Sequence, residues 1–289
     1  MQLRQSERKR AKIKLALQGS AGSGKTYSGL LLAQGLTNRD FSKVAIIDTE
    51  NGSADLYAHL GNYNVLTLEH PFTPEKYIQA IEVCLRANME VIIIDSISHC
   101  WDELLDFHSK LSGNSFTNWS KITPRLNAFI NKILQAEAHI IATMRTKQDY
   151  VLNQKDGKFI PEKVGLKSIM RDGTDYEFTL VFEIDIKHFA IASKDRTGLF
   201  MGKPEFIINS ATGKKILEWC NCGTDLQEAK ANIKACKDLE GLKQLYIHYS
   251  NWKELLEYDF KVQRDTILAN QTLLNPQNFS KNGSTNHSA

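Results

Sequence analysis

The chain has 289 residues, 42% hydrophobic and 24% charged, enough apolar material for one large α/β domain and an accessory segment. A net charge of +3 excludes a globally basic nucleic-acid binder and confines any basic surface to local clusters. Five scattered cysteines fit a reduced compartment, and no run approaches the ~18 apolar residues of a membrane span, so a cytoplasmic chain without a membrane anchor is expected.

Residues 1–11 form a polar, basic arm carrying Arg4, Arg8, Lys9 and Arg10. Ile13 to Gln18 then alternates apolar and polar as a half-buried strand does. Directly after it, Gly19-Ser20-Ala21-Gly22-Ser23-Gly24-Lys25-Thr26 fills every fixed position of G-x-x-x-x-G-K-[ST], and Tyr27 to Ala33 continues as a helix. Three glycines let successive backbone N–H groups turn inward at the positive end of a helix, a concavity that suits a di- or triphosphate. Residues Gly19 to Tyr27 are therefore the expected nucleotide-binding segment, with Lys25 reaching the β and γ phosphates and the Thr26 hydroxyl on Mg²⁺.

Lys43 to Glu50 reads as a fully buried strand and Asn64 to Leu68 as a short one. Thr73-Pro74 starts a helix with a cap and a proline at its first position, running through Tyr77, Ile81 and Leu85. Glu90 to Ser96 contains the most apolar strand of the chain. An amphipathic helix is predicted from Ser98 to Leu111, a second from Thr123-Pro124 through Ile133, and a strand over His139 to Arg145. This alternation specifies a mostly parallel sheet flanked by helices.

Beyond Arg145 strands replace helices. Tyr150 to Ile160 reads as a hairpin around Lys155-Asp156-Gly157-Lys158, and Tyr176–Asp185 with His188–Ser193 as an antiparallel pair. Glu205–Asn209 with Lys215–Trp219 reads as another pair across Ser210-Ala211-Thr212-Gly213. Residues 223–272 are helical by pattern, and 273–289, rich in Asn, Ser and Gly, are an expected disordered tail. Cys220-Asn221-Cys222 and the histidines 99, 108, 139 and 188 form no metal-ligand pattern and read as structural or incidental.

Two carboxylates fall at the ends of consecutive buried strands. Asp95 has the place of a carboxylate that organises Mg²⁺, directly or through water, because parallel sheets bind ligands at the carboxyl ends of their strands. Glu50, at the same edge, is placed to deprotonate the water that attacks a γ-phosphate.

With the phosphate loop, Asp48-Thr49-Glu50 and Ile94-Asp95-Ser96 make the chain resemble the RecA-like P-loop ATPases. Ser193-Lys194-Asp195-Arg196-Thr197-Gly198 resembles the lysine-x-arginine-x-glycine finger of their helicase and RadA branches. Such a finger reaches a neighbouring subunit's γ-phosphate, which implies catalytic roles for Lys194 and Arg196 and a homo-oligomer with shared ATP sites. More closely, Gly165 to Phe178 and the finger run resemble the phage-type nucleotide-binding proteins of the AAA-24 kind, over about residues 12–203. The resemblance implies a RecA-like core over 12–222 and Mg·ATP hydrolysis. It also implies work on single-stranded DNA in recombination or annealing, in a bacterial or phage-infected cell. One departure is that Thr143-Met144-Arg145 stands where RecA has a γ-phosphate-sensing glutamine, so that role is either absent or passed to Arg145 or Gln148.

From Arg145 to Arg171 there are seven basic and three acidic residues, with Tyr150 and Phe159 interleaved. Lys147, Lys155, Lys158, Lys167 and Arg171 are the candidate contacts to single-stranded nucleic acid, cations tracking phosphates beside aromatics that stack on bases. The alternative function is an ATP-dependent switch or assembly factor that binds a protein partner through the C-terminal helices.

Overall fold

The apolar strands of this chain carry no polar alternation because both of their faces are covered. The computed structural model describes residues 8–155, 158–222 and 226–274, with backbone alone over 148–166 and at a few C-terminal positions. Residues 1–7 of the basic arm, Asp156-Gly157 of the expected hairpin turn, and the expected disordered tail from 275 onward lie outside the described residues. The chain divides into two units, one of residues 11–221 and one combining the extreme N-terminus with the segment from Cys222 onward.

The larger unit runs β1 (Lys14–Gly19), α1 (Lys25–Leu36), β2 (Val44–Asp48), β3 (Asn64–Thr67), α2 (Pro74–Arg86), β4 (Val91–Asp95), α3 (Ser98–Ser109) and α4 (Ser115–Gln135). It continues with β5 (His139–Lys155), β6 (Lys158–Ser168), β7 (Leu180–Ile184), β8 (Phe189–Asp195), β9 (Phe206–Ile207) and α5 (Ser210–Asn221). The sheet order is β3-β2-β4-β5-β1-β7-β8-β9, parallel from β3 to β7 and antiparallel from β7 to β9, and β6 pairs with the outer part of β5. This is the α/β architecture expected of a P-loop NTPase, with antiparallel strands added on the C-terminal side.

Alternate residues of each central strand enter opposite layers. Ile92, Ile94, Ile140 and Ala142 pack with Tyr77, Leu104, Leu126 and Phe129 of α2, α3 and α4. Val91, Ile93, Ile141, Leu15 and Leu17 pack instead with Leu30 and Leu32 of α1 and Ile216 of α5. After β1 the chain crosses three places to β2, steps outward to β3, then turns back through α2 to β4 and β5. This reversal gathers the carboxyl ends of β1, β2, β4 and β5 at one edge, where doubly wound sheets bind ligands.

The strand over Ile13 to Gln18, expected to be half-buried, is buried on both faces, and three further expectations change. The helix expected from Thr123 begins eight residues earlier at Ser115, with Pro124 inside it. Asn114 supplies the stronger start signal, its side chain accepting from Phe116 N at 2.8 Å, and the apolar stripe continues past the proline. The expected hairpin of 205–209 with 215–219 is not present: β9 pairs with β8, and residues 210–221 are helix α5. Ser210 to Gly213 looked like a turn but is a helix start, because Asn209 Oδ1 accepts from Thr212 N at 3.1 Å and Thr212 Oγ1 accepts from Asn209 N at 3.3 Å. The hairpin around 155–158 is longer than expected: β5 and β6 pair from Thr146–Ser168 to Lys155–Lys158, with an irregularity at Asp149/Tyr150.

The smaller unit holds α6 (Leu226–Ala235), α7 (Leu239–His248) and α8 (Lys253–Leu274) around Ala229, Ile233, Leu242, Trp252, Leu256 and Phe260. Among the described residues no helix is long and apolar enough to cross a membrane.

Helices α1 and α5 meet backbone to backbone. A Cβ on Gly213 would lie 2.2 Å from Leu32 O, and one on Gly35 would lie 2.1 Å from Ser210 O. Gly213→Ala must push the helices apart and is expected to destabilise the protein by about 3 kcal/mol or more. Gly202→Ala, with φ of 72° and nothing near its Cβ, should cost only about 1 kcal/mol from backbone conformation. Urea unfolding of both variants, followed by circular dichroism, checks the difference.

Candidate functional site

The phosphate loop follows β1, whose last residue Gly19 stands in register with Arg145 of β5 and Ile184 of β7. A Cβ at Gly19 would sit 2.3 Å from Ser23 Oγ and 2.7 Å from Ile184 O, so only glycine closes the loop there. Gly24, at φ 88°, delivers the chain into α1 in a left-handed conformation. Lys25 Nζ donates to Gly19 O at 2.9 Å and to Ser20 O at 2.8 Å. Burial lowers its pKa, opposed by the carboxylates of Asp95 and Glu50.

Asp95 closes β4, 3% exposed, and donors meet both of its oxygens. Thr26 Oγ1 donates to Oδ2 at 2.6 Å, and Thr143 Oγ1 donates to Oδ1 at 2.5 Å. Burial raises its pKa, only partly opposed by the hydrogen bonds from the two hydroxyls. Two hard oxygens, one hydroxyl and one carboxylate, beside an ammonium and a nest of backbone N–H groups fit a phosphate-bound Mg²⁺, which takes few protein ligands and keeps water and phosphate oxygens. Ser23 Oγ, buried without a hydrogen-bond partner, adds an unmet polar atom inside the loop.

Glu50 does not end β2 as expected but follows it by two residues, in the turn. Asp48, fully buried, fixes that turn by accepting from Glu50 N at 2.6 Å and from Ala54 N at 3.2 Å. The Glu50 carboxylate is held by Arg145, whose Nε and Nη2 donate to Oε1 at 3.1 and 3.0 Å.

These groups share one cleft of about 1040 Å³. Its lining includes the polar groups of Lys25, Thr26, Glu50, Asp95, Arg145, His188 and Asn209 and the apolar or aromatic side chains of Tyr27, Leu31, Tyr57, Ile207 and Ile208. The Tyr27 ring, 40% exposed, leans on Tyr57 with centroids 5.8 Å apart. Such a cleft can hold a polyphosphate at the loop and a flat ring beside the tyrosines.

Several residues that line the cleft or support the turn beneath it carried no signal in the sequence. His188, read as incidental, sits beside Gly24 with Nδ1 2.9 Å from Ser23 O. His99, also read as incidental, places Nδ1 2.7 Å from Thr49 Oγ1, which in turn bonds the Asp95–Ser96 backbone. Buried Tyr77 donates to Ser96 O at 2.8 Å and supports the same turn from α2. Tyr57 comes from a 3-10 turn after β2, too far along the chain from the loop for any motif to reveal.

Lys194 and Arg196 are not in this cleft. Lys194 stands opposite Val181, three positions before the end of β7, roughly 10 Å down the strand from the loop edge. Lys194 Nζ donates to Tyr176 O, and Arg196 Nη2 donates to the same carbonyl at 3.3 Å. Of the nucleic-acid candidates, Lys147 and Lys167 are exposed and stand opposite each other across the β5–β6 ladder, and the backbone positions of Lys155 and Lys158 pair at its far end. Lys167 is paired with Asp172 at 2.8 Å, and Arg171 is exposed in the turn after β6. The side chains of Lys155 and Lys158 lie outside the described residues.

A comparison with curated proteins gave no match. Residues 11–207 match the AAA_24 family, an AAA domain, a span that covers the phosphate loop, both carboxylate strands and the antiparallel strands after them. The chain belongs to this family of P-loop ATPases.

Proposed function

We propose that this protein is a cytoplasmic RecA-like ATPase that binds and hydrolyses Mg·ATP and acts on single-stranded DNA in phage or mobile-element recombination or annealing. The observation that carries the enzymatic half is the convergence of Lys25, Thr26, Asp95 and Glu50 on one cleft. Lys25 neutralises the β and γ phosphates, Thr26 and Asp95 hold Mg²⁺, and Glu50 takes the proton of the attacking water. Bound Mg²⁺ supplies charge neutralisation between the phosphates.

The DNA half is supported by the hairpin. The β5–β6 register places Lys147 opposite Lys167, and the backbone positions of Lys155 and Lys158 opposite each other. A phosphate backbone lying along the hairpin would meet basic residues contributed by both strands. Placing Lys194 and Arg196 away from their own cleft agrees with action in a neighbouring subunit of a homo-oligomer.

The second reading, an ATP-dependent switch that binds a protein partner, is favoured by the helical unit, which exposes Ile247, Leu255, Tyr258 and Val262 at 59%, 61%, 77% and 46%.

Lys25→Ala should lower ATP turnover by at least about 100-fold, measured as phosphate release; unchanged turnover would remove the central assignment. Arg196→Ala and Glu50→Gln subunits, each inactive alone, should regain activity when mixed if sites are shared. No recovery on mixing counts against a finger in trans. Fluorescence anisotropy of labelled single strands at two salt concentrations separates the two readings. Salt-sensitive binding that is lost when Lys155, Lys158 and Lys167 are neutralised supports DNA, and no binding at low salt supports the protein partner.

A further inference from the structure

The cleft sets one guanidinium between two groups that compete for it. Arg145 is fixed at its backbone: its N–H donates to Ser98 Oγ at 3.0 Å and its carbonyl accepts from Ile169 N at 2.7 Å. Its position in β5 pairs with Gly19, so it stands beside the first residue of the phosphate loop, close enough to Lys25 for the two cations to repel. Two of its five N–H groups go to Glu50 Oε1, and three remain for other acceptors. The Arg145 and Glu50 side chains are 41% and 29% exposed, both at the wall of the cleft.

Two charge-assisted hydrogen bonds to Oε1 hold the carboxylate against the guanidinium and occupy the oxygen to which a water would donate. A terminal phosphate carries up to about two negative charges against one on the carboxylate, so it draws a shared cation more strongly. A diphosphate ends one phosphorus short of that position.

We propose that Arg145 is a catalytic residue of its own subunit: it binds the terminal phosphate of a nucleoside triphosphate and thereby releases Glu50, which acts as base only when that phosphate is present. This rests on the ATPase reading. In the step so controlled, the water oxygen bonds to the terminal phosphorus and the bond from phosphorus to the bridging oxygen breaks with its electron pair left on the diphosphate. The water proton passes to Glu50. The single cation thus serves as both detector of the third phosphate and lock on the base.

The test is a double-mutant cycle on the full chain, measuring Kd for ADP and for a non-hydrolysable ATP analogue, both with Mg²⁺. Arg145→Gln should weaken the analogue by about tenfold or more and shift ADP by less than about twofold. Glu50→Gln, by freeing the guanidinium, should tighten the analogue severalfold, and this gain should vanish when Arg145→Gln is added. Equal weakening of ADP and analogue by Arg145→Gln overturns the proposal, as does a Glu50→Gln gain that persists without Arg145. If Arg145→Gln does not fold, Arg145→Lys is read in the same cycle, with the same losses expected because ammonium cannot engage two acceptors in one plane. Lys25→Ala distinguishes the levels: loss of analogue binding there with a flat Arg145 response rejects only the role of Arg145, whereas intact binding in Lys25→Ala rejects the nucleotide reading beneath it.

Discussion

A carboxylate at 3% exposure is tolerable only where its oxygens are fully met, and at Asp95 the donors come from two other elements. Thr26 belongs to α1 and Thr143 to β5. The carboxylate therefore ties the helix after the phosphate loop to β4 and to the strand that separates β4 from β1. The same peptide region is gripped a second time, by Thr49 after β2 and by Tyr77 from the opposite layer. The cleft has its shape because four elements are pinned around one buried charge. A divalent cation bound there would offset the desolvation that raises the pKa of this carboxyl.

Around that point electrostatics is arranged in opposition. Lys25 and Arg145 bring two cations to the loop edge, and Asp95 and Glu50 answer with two anions. Each cation is satisfied locally, Lys25 by two loop carbonyls and Arg145 by Glu50. A triphosphate entering the cleft would exchange these contacts for its own and would not meet unpaired charge. Binding so arranged discriminates by the position of charge along the ligand as well as by its total.

What was legible in the sequence follows from how local the determinants were. The phosphate loop is a contiguous backbone motif, and the run Val91 to Ile94 is apolar throughout because both of its faces are buried. Asp95 was legible because a carboxylate ending such a strand has few structural uses. Helix α5 was misread because Asn209, Thr212 and Gly213 are turn residues by type. Only the third dimension shows that the first two form a cap and that the glycine admits α1. Pro124 hid the true start of α4 for a similar reason, since proline marks a first turn more often than an interior. His188 and His99 were invisible because their partners lie 165 and 50 residues away in the chain.

The contact between Gly35 and Gly213 reaches further than stability. With backbone against backbone, α1 and α5 have no side-chain layer to deform, so neither helix can slide or roll on the other without collision. One end of this joined pair carries Lys25, Thr26 and Tyr27, and the residues entering α5 include Asn209 of the same cleft. One wall is thus a rigid gauge, holding the loop and the segment beside α5 at a set separation. The other wall, made of the turn after β2 and the outward run of β5 into its long hairpin, is joined by one exchangeable ion pair, Glu50 with Arg145. A change of shape brought about by a ligand in this cleft would fall on that second wall.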